Sequence, residues 1–398
     1  MIENTNANMS NANVHKIDNY LNGGHKVKQR KDFKFKDETY STAKIVLQSI
    51  KSIIDFHSSY ICGNKVSVTG EQAQLLQKIY KQGNFYKRDY EIAKNLYTYG
   101  NAYEYIYKEK EKIKSKIINN SDSYPIYENC EYVMFIEKYI DTLKNHTTEI
   151  IYTADKVEIF EDDKLIESYA NFTGLPIHYT SGNLERNNIF GTSLIDDLIP
   201  IMDELEQLLS KMSDSIGTLS MNPLGVSIGD RVDTSIDKDA TGAVLNIESG
   251  GDFKYINASL DSDSIKLLLD NLLNQFYVIA CVPSSLFGQS NISNVSEVSL
   301  KLLYNNSDSM AKRIALNMLE GFETRLEYIS KLINQDIADF DINFNYNRPV
   351  DNSSLMSDLK VQFDMGAISL ESILRNSPYI SDVDGEISKL NESNEFDI

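Results

Sequence analysis

The sequence is poor in cysteine and histidine, and this limits the chemistry it can carry. Its 398 residues include five histidines and three cysteines, which are Cys62, Cys130 and Cys281. Three widely separated cysteines argue against a disulfide framework or a zinc site and indicate reduced thiols. The histidines share no metal-ligand spacing with cysteines or carboxylates. We therefore expect neither redox chemistry nor a metal or other cofactor.

Two further absences concern membranes and nucleotides. No segment approaches the roughly 18 consecutive apolar residues of a membrane helix, and the first fifteen residues are polar and Asn-rich, unlike a signal segment. The G-x-x-x-x-G-K-[ST] motif that cradles nucleotide phosphates is also missing. We expect a cytosolic product with no membrane contact, which is not an enzyme and does not hydrolyse ATP by a P-loop.

The chain is acidic, with a formal net charge of -19. Neutralisation of phosphates by Lys and Arg is the main sequence-independent term in DNA binding, so this charge argues against a protein that wraps DNA. It suits a surface along which a polyanion slides, because deep binding wells would hold the strand back. A basic cluster at residues 26–36 and the acidic C-terminal part are interpreted as solvated surface.

The first half of the chain predicts an α+β domain behind a disordered tail of residues 1–15. Tyr103, Tyr105 and Tyr107 share one face of a strand. This indicates sheet packing rather than a base-stacking platform, because no basic residues interleave with them. Predicted helices span residues 42–60, 70–80 and 87–99, and predicted strands span residues 66–68, 102–107, 124–127, 132–139, 149–152 and 157–160.

The second half predicts three long helices, interrupted by a glycine-rich β insert and by a polar joint. The first helix is near twenty residues long, with Pro200 in its first turn. The third is unusually long, with a kink near Asn305. The helices are predicted around residues 200–220, 264–281 and 295–333, the insert at 222–260, a strand at 342–346, short helices at 354–365 and 369–375, and a frayed acidic tail at 382–398.

The polar joint is the candidate functional segment. Val282-Pro283 ends one long helix, and the loop before the next is more polar than packing requires. Uncharged polar side chains can contact phosphates without holding them strongly. For any single residue, a surface connection or a helix N-cap is an equally good explanation. The candidate residues are Ser284, Ser285, Gln289, Ser290, Asn291, Ser293 and Asn294.

Several short segments of the sequence occur in an order that can be compared with known families. They are YLNGGH (20–25), YICGNKV (60–66), YGNAYE (99–104), LPI and LIPIMD (175–177 and 198–203), CVPSSLFG (281–288), and FNYNRP and MGAIS (344–349 and 365–369). Together they resemble the portal (head-tail connector) proteins of tailed bacteriophages, in particular the SPP1-type group. Lys65 stands where that group usually has proline. The resemblance covers about residues 16–390, and the order of the motifs carries it.

The resemblance implies a portal fold with an α/β wing, a two-helix stem, a small β-rich clip, a long tunnel helix and a short helical crown. It adds Phe287 to the polar loop residues as part of a tunnel loop in a DNA channel. The implied divisions are the wing (1–190), first stem helix (191–220), clip (221–260), second stem helix (261–282), tunnel loop (283–294), tunnel helix (295–335), return strand to the wing (336–350), and crown with acidic tail (351–398).

The resemblance also implies a function and partners. Twelve subunits would form a ring at the portal vertex of the capsid, assembled in the cytoplasm of a bacterial host. Double-stranded DNA would pass through the ring during packaging and ejection. The implied protein partners are the terminase large subunit, a head-tail adaptor, and the major capsid and scaffolding proteins.

Two other functions are weighed against this one. A helical scaffold or tail-assembly adaptor explains the long helices but neither the β insert nor the polar joint. A metal-dependent nuclease could use Asp196-Asp197 and Asp203-Glu204. Acidic residues in the first turns of a helix, however, usually interact with the helix dipole and solvent.

Overall fold

The structure is a computed structural model that describes most of the chain. The described residues are 5–35, 38–129, 131–142, 145–182, 189–216, 224–228, 252–256, 261–283, 297–337, 340–348, 352–380 and 383–395.

The helices account for most of the second half of the chain. Their bounds are α1 (Thr5–Leu21), α2 (Ser49–Cys62), α3 (Ala73–Gly83), α4 (Phe85–Tyr99), α5 (Leu194–Ser215), α6 (Ser262–Ile279), α7 (Glu297–Leu303), α8 (Asn305–Ile333), α9 (Asn352–Asp364), α10 (Leu370–Asn376) and α11 (Val383–Glu395).

The strands pair antiparallel throughout the described sheets. A five-stranded meander has the order β10-β9-β8-β7-β6, and smaller sheets have the orders β11-β4-β5, β1-β2, β12-β13 and β14-β3. The predicted α+β class is confirmed. The strands are β1 (Phe33–Phe35), β2 (Glu38–Tyr40), β3 (Ser67–Gly70), β4 (Asn101–Glu109), β5 (Lys112–Ile118), β6 (Ser123–Glu128), β7 (Glu131–Asp141), β8 (His146–Tyr152), β9 (Lys156–Glu161), β10 (Lys164–Ala170), β11 (Ile177–Thr180), β12 (Leu224–Ile228), β13 (Asp252–Ile256) and β14 (Phe340–Asn343).

The main hydrophobic core forms around α8, which contacts α2, α4, β4 and β11. Apolar residues at four-residue steps place one face of α8 inward. That face is fully buried, as the sequence pattern predicted. Its core residues are Ile314, Met318, Phe322, Leu326 and Ile329.

A second, smaller core lies between the β4 sheet and the meander. Tyr103 and Tyr105 are buried there against Phe135 and Tyr152, with ring centroids 5.1 Å apart for Tyr103 and Phe135 and 4.7 Å apart for Tyr105 and Tyr152. Tyr107 packs at its edge. The tyrosine stripe is therefore sheet packing, as predicted.

Both chain ends differ from the prediction. Residues 5–15 were expected to be disordered but belong to α1, because Val14 and Ile17 are buried and α1 packs on α4 and β6. Residues 383–395 were expected to be frayed but form α11, which contacts α10. For α1 the stabilising partners are distant in sequence, so no local pattern predicted the helix.

Two internal boundaries also differ, and some strands were not predicted. The first long helix starts at Leu194, so Pro200 lies inside α5 rather than in its first turn. The long third helix is divided at Tyr304 into α7 and α8, close to the predicted kink. Strands β1, β2, β5, β10 and β11 were not predicted. Cys62 is a buried free thiol and Cys281 a partly buried one, whereas Cys130 lies outside the described residues.

The segment before α2, predicted to be helical, instead runs along α5 as a strap of residues 41–48. Backbone N–H groups of alternate strap residues donate to α5 side chains: Ala43 to Asp214 at 2.7 Å, Ile45 to Ser210 at 2.9 Å and Leu47 to Glu206 at 2.7 Å. The acceptors recur every four residues along the helix, so one face of α5 supplies all three. The polar face of α5 therefore supplies acceptors for the N–H groups of the strap, whose burial without hydrogen-bond partners would be unfavourable.

A buried guanidinium joins α8 to the rest of the main core. The Nε of Arg325 donates to Glu104 at 2.9 Å, and its Nη1 donates to Asp89 at 2.5 Å. All three side chains are 1% exposed or less. Glu104 also accepts hydrogen bonds from Ser115 and from Tyr179. Because these groups sit away from water, each charge depends on the others for stabilisation.

We expect Arg325→Met to destabilise the fold by about 3 to 5 kcal/mol, because it leaves two buried carboxylates unpaired. Burial raises the pKa of Asp89 to about 6 despite the opposing effect of Arg325. A carboxyl with a raised pKa favours the folded state at low pH and loses that contribution as pH rises through 6. The free energy of unfolding that Arg325→Met loses relative to the wild type, measured with denaturant, should therefore be smaller at pH 5 than at pH 8. Arg313→Met, at an exposed position of α8, is the matched control, and equal losses in both variants would contradict the expectation.

Candidate functional site: the joint between α6 and α7

The incoming side of the joint is a helix end closed by backbone hydrogen bonds. Cys281 has a left-handed φ of 53°. Its N–H donates to the carbonyl of Val278, and the N–H of Val282 donates to that of Tyr277, both at 3.1 Å. This pair of bonds is the Schellman pattern that ends helices. Pro283 follows and cannot extend the helix, so the predicted break is confirmed.

Two side chains hold the carbonyl groups at this helix end. The Nε2 of His57 lies 2.7 Å from the carbonyl oxygen of Ala280, and the hydroxyl of Ser307 donates to that of Cys281 at 2.7 Å. A carbonyl only accepts, so Nε2 carries the proton of His57. Burial lowers the pKa of His57 to about 4. The ring of His57 is therefore neutral at pH 7. Through His57 and Ser307, α2 and α8 both contact the residues that end α6.

The returning side of the joint is held by stacked aromatic rings at the division between α7 and α8. Tyr304 is 4% exposed, and its ring lies 5.9 Å from that of Tyr60, which is 6.1 Å from that of Tyr346. The hydroxyl of Tyr60 donates to Asp308, which also accepts a 2.5 Å hydrogen bond from Arg348. These contacts attach the start of α8 to α2 and to the chain that follows β14.

The end of α6 and the start of α8 are both held by α2. Ser307 on α8 bonds directly to Cys281, so the end of α6 lies against the start of α8, and α7 stands between that point and the loop. The segments that flank the loop and α7 therefore form a rigid base. The candidate residues of the loop lie outside the described residues; they are Ser284, Ser285, Phe287, Gln289, Ser290, Asn291, Ser293 and Asn294.

The sequence interpretation missed His57 and Ser307 as supports of this joint. His57 falls on the apolar face of α2, four residues after Ile53, and a buried histidine needs a hydrogen-bond partner. That signal was available in the sequence. Its partner, Ala280, is 223 residues away, and the sequence gives no indication of that pairing.

Asp196, one of the acidic residues considered for a nuclease, contacts the N-terminal segment. Asp196 accepts from Asn13 at 2.7 Å and from Lys16 at 3.0 Å. Asp203 is partly buried, and burial raises its pKa. Within the described ranges, no three or more His, Cys, Asp or Glu side chains are arranged to hold a metal ion. Across the same ranges, no helix combines the length and apolarity needed to cross a membrane.

We expect the joint to loosen in acid. A histidine whose pKa is lowered by folding contributes stability above its unfolded pKa of 6.5, and that contribution is lost as pH falls towards 4. The shift corresponds to about 3 kcal/mol at most. His57→Gln keeps an N–H donor for Ala280 but does not titrate, so its unfolding free energy should vary less between pH 7 and pH 5.

Denaturant unfolding at the two pH values measures this difference. The exposed His15→Gln is the control and should behave as the wild type does. If His57→Gln and the wild type lose the same free energy on acidification, His57 does not carry the effect.

Two solved structures have chains that are similar to this one in fold. A chain from the neck of a native gene transfer agent (GTA) particle, computed with C12 symmetry, matches with a TM-score of 0.51 and 11% identity, over 83% of this chain and 89% of that chain. A chain from the virion of a native GTA particle matches with a TM-score of 0.49 and 11% identity, over 82% of this chain and 87% of that chain. Comparison with curated protein sequences found no match.

The sequence itself identifies the family. Residues 4–397 match the family model described as phage portal protein, SPP1 Gp6-like. The match extends over nearly the whole chain, and it confirms the resemblance carried by the ordered motifs. The chain belongs to the SPP1 Gp6-like family of phage portal proteins.

Proposed function

We propose that twelve copies of this protein form a closed ring at a capsid vertex, and that double-stranded DNA enters and leaves the capsid through the ring. The family match over residues 4–397 carries this proposal. The twelvefold count is supported by the GTA neck, which was computed with C12 symmetry and contains a chain of similar fold.

Apolar side chains on the helices beside the joint also favour assembly. Leu267 and Val278 on α6 are 64% and 58% exposed, and Leu302 on α7 is 73% exposed. Exposed apolar side chains on adjoining helices are suited to contacts between copies. In a closed ring each copy packs one face against a different face of its neighbour, and the same contact is repeated around the ring.

Within the ring, the loop between α6 and α7 is the proposed DNA-contacting segment. Serine, asparagine and glutamine would form uncharged hydrogen bonds with phosphates, which position a strand without fixing it. The net charge of -19 per chain opposes strong binding to DNA. Together these properties favour passage over retention while the DNA moves.

The remaining segments have proposed roles in docking. The module of residues 221–260, which includes the β12-β13 pair, would form the clip that contacts the terminase large subunit and later the head-tail adaptor. Residues 1–190 with the return strand β14, which pairs with β3, would form the wing that contacts capsid and scaffolding proteins. ATP hydrolysis would belong to the terminase. Assembly would take place in the cytoplasm of the bacterial host.

We expect the purified protein to form closed rings near twelvefold symmetry in negative-stain images. Leu267→Asp should weaken assembly, because it places a charge in an apolar contact between copies. Leu165→Asp on the meander sheet, at a similarly exposed leucine, is the matched control. Monomers or dimers alone at high wild-type concentration would contradict the ring and favour a helical scaffold.

Deletion of residues 285–293 should leave rings intact but abolish DNA packaging or retention. The bonds to the Ala280 and Cys281 carbonyls lie outside the deletion, so the supports of the joint remain. Nuclease-protected DNA in assembled capsids is the readout. A Gly-Ser segment of equal length is the companion variant, because it keeps the chain connection but removes the asparagine, glutamine and phenylalanine side chains. Normal packaging by the deletion variant would refute the role of the loop.

A further inference from the structure

A basic surface lies on this acidic chain where α3 and α4 pack against β5. We call this surface the basic ridge. It is distinct from the joint and from the stem helices, and it belongs to none of the contacts described above. Its members are Lys78, Lys81, Lys87, Arg88, Lys110 and Lys112.

The fold brings these cations together from two separate segments. A Cβ added to Gly83, at the end of α3, would lie 2.5 Å from the carbonyl oxygen of Ile113 on β5. Lys81 and Lys112 each lie within two residues of that close approach. Lys78 is one turn before Lys81 on the exposed side of α3, and Lys110 begins the tight turn between β4 and β5 with a φ of 56°.

Carboxylates neutralise only part of the basic ridge. Lys87 and Arg88 share Glu91, at 3.6 and 2.6 Å. Asp89 on α4 and Glu104 on β4 are buried against Arg325 and do not face the ridge. Glu109 and Glu111 lie at the turn beside Lys110 and Lys112, where they pair with Lys114 and Lys108 respectively. Four members of the ridge have no ion pair within 4.0 Å among the described residues: Lys78, Lys81, Lys110 and Lys112.

The composition of the basic ridge fits a phosphate backbone better than a protein surface. Protein interfaces are depleted in lysine and have an apolar centre. On α3, α4, β4 and β5 the exposed large apolar side chain is Leu75, at only 36%. Lysines act as point charges towards phosphates and impose no base preference. At 0.1 M salt the Debye length is about 10 Å, so a phosphate at the ridge is affected mainly by local charge.

We propose that the basic ridge binds the backbone of double-stranded DNA outside the channel and without sequence preference. This inference rests on the proposed function in one respect, which is that DNA is present on the side of the ring where the ridge lies. The ridge would hold DNA weakly, since the rest of the chain repels it.

Closed circular DNA separates this surface from the channel, because a duplex without ends cannot be threaded through a closed ring. The experiment measures binding of the full-length protein to relaxed closed circles at about 50 and 200 mM salt. The variant Lys78→Gln, Lys81→Gln, Lys112→Gln should bind at least tenfold more weakly at the lower salt. For this variant, the slope of log affinity against log salt concentration should be shallower by about 2 to 3, because each lost phosphate contact removes about 0.9 from the slope.

The control variant Lys164→Gln, Lys360→Gln, Lys389→Gln removes the same charge from exposed positions elsewhere and should bind as the wild type does. Equal losses in both triple variants, or no wild-type binding to the circles, would overturn the proposal. Loss of rings in the ridge variant alone would instead mean that the ridge contacts a second copy. Competition by poly-glutamate as effective as competition by linear DNA would assign the ridge to an acidic protein.

The two proposals fail in different ways. Intact rings and normal packaging without ridge-dependent binding to closed circles would remove the inference and leave the proposed function. Ridge-dependent binding by a protein that forms no rings would support the inference and contradict the proposed function.

Discussion

The buried charge of Arg325 is the constraint on which the arrangement of α4, β4 and the long helix α8 depends. A guanidinium without water must be matched by carboxylates in fixed positions, and Asp89 on α4 and Glu104 on β4 meet that need. The position of α8 relative to both elements is thereby fixed at one end. Ser307 and Asp308 fix the other end, five turns away at about 27 Å along the helix. The joint between α6 and α7 therefore lies where α8 places it.

The pattern of apolar residues predicted the parts of the fold that follow local rules. The buried face of α8, the stop at Pro283 and the tyrosine stripe of β4 each result from periodicity or from one residue with a strong backbone preference. Arg325 could not be found this way. It lies beside Phe322 and Leu326 on a helix where an arginine would ordinarily be assigned to solvent, and its partners are 221 and 236 residues away. The distance in sequence likewise concealed the pairing of His57 with Ala280, although the break before Pro283 was predicted.

The joint combines a rigid base with a polar connection. Neutral groups support the end of α6: a histidine held uncharged by burial and a serine hydroxyl. At the start of α8 the stacked tyrosines are joined by the ion pair of Asp308 with Arg348, in which the two charges oppose each other. The supports therefore add little net charge beside the segment proposed to contact phosphates. In the proposed ring this surface is repeated in every copy, and a weak contact in one subunit becomes a continuous collar around the DNA.

The strap along α5 has a consequence for how this helix can move. Two residues of extended chain advance about 6.6 Å and four residues of helix advance about 6.0 Å. The N–H donors of the strap and their acceptors on α5 therefore have nearly equal spacing. Successive N–H groups of an extended chain point to opposite sides, and a slip of one residue turns all three donors away from α5 together. The helix cannot slide gradually beneath the strap: it is either in register with Ala43, Ile45 and Leu47 or released from all of them. Axial motion of α5 would therefore reach residues 41–48 as a single step.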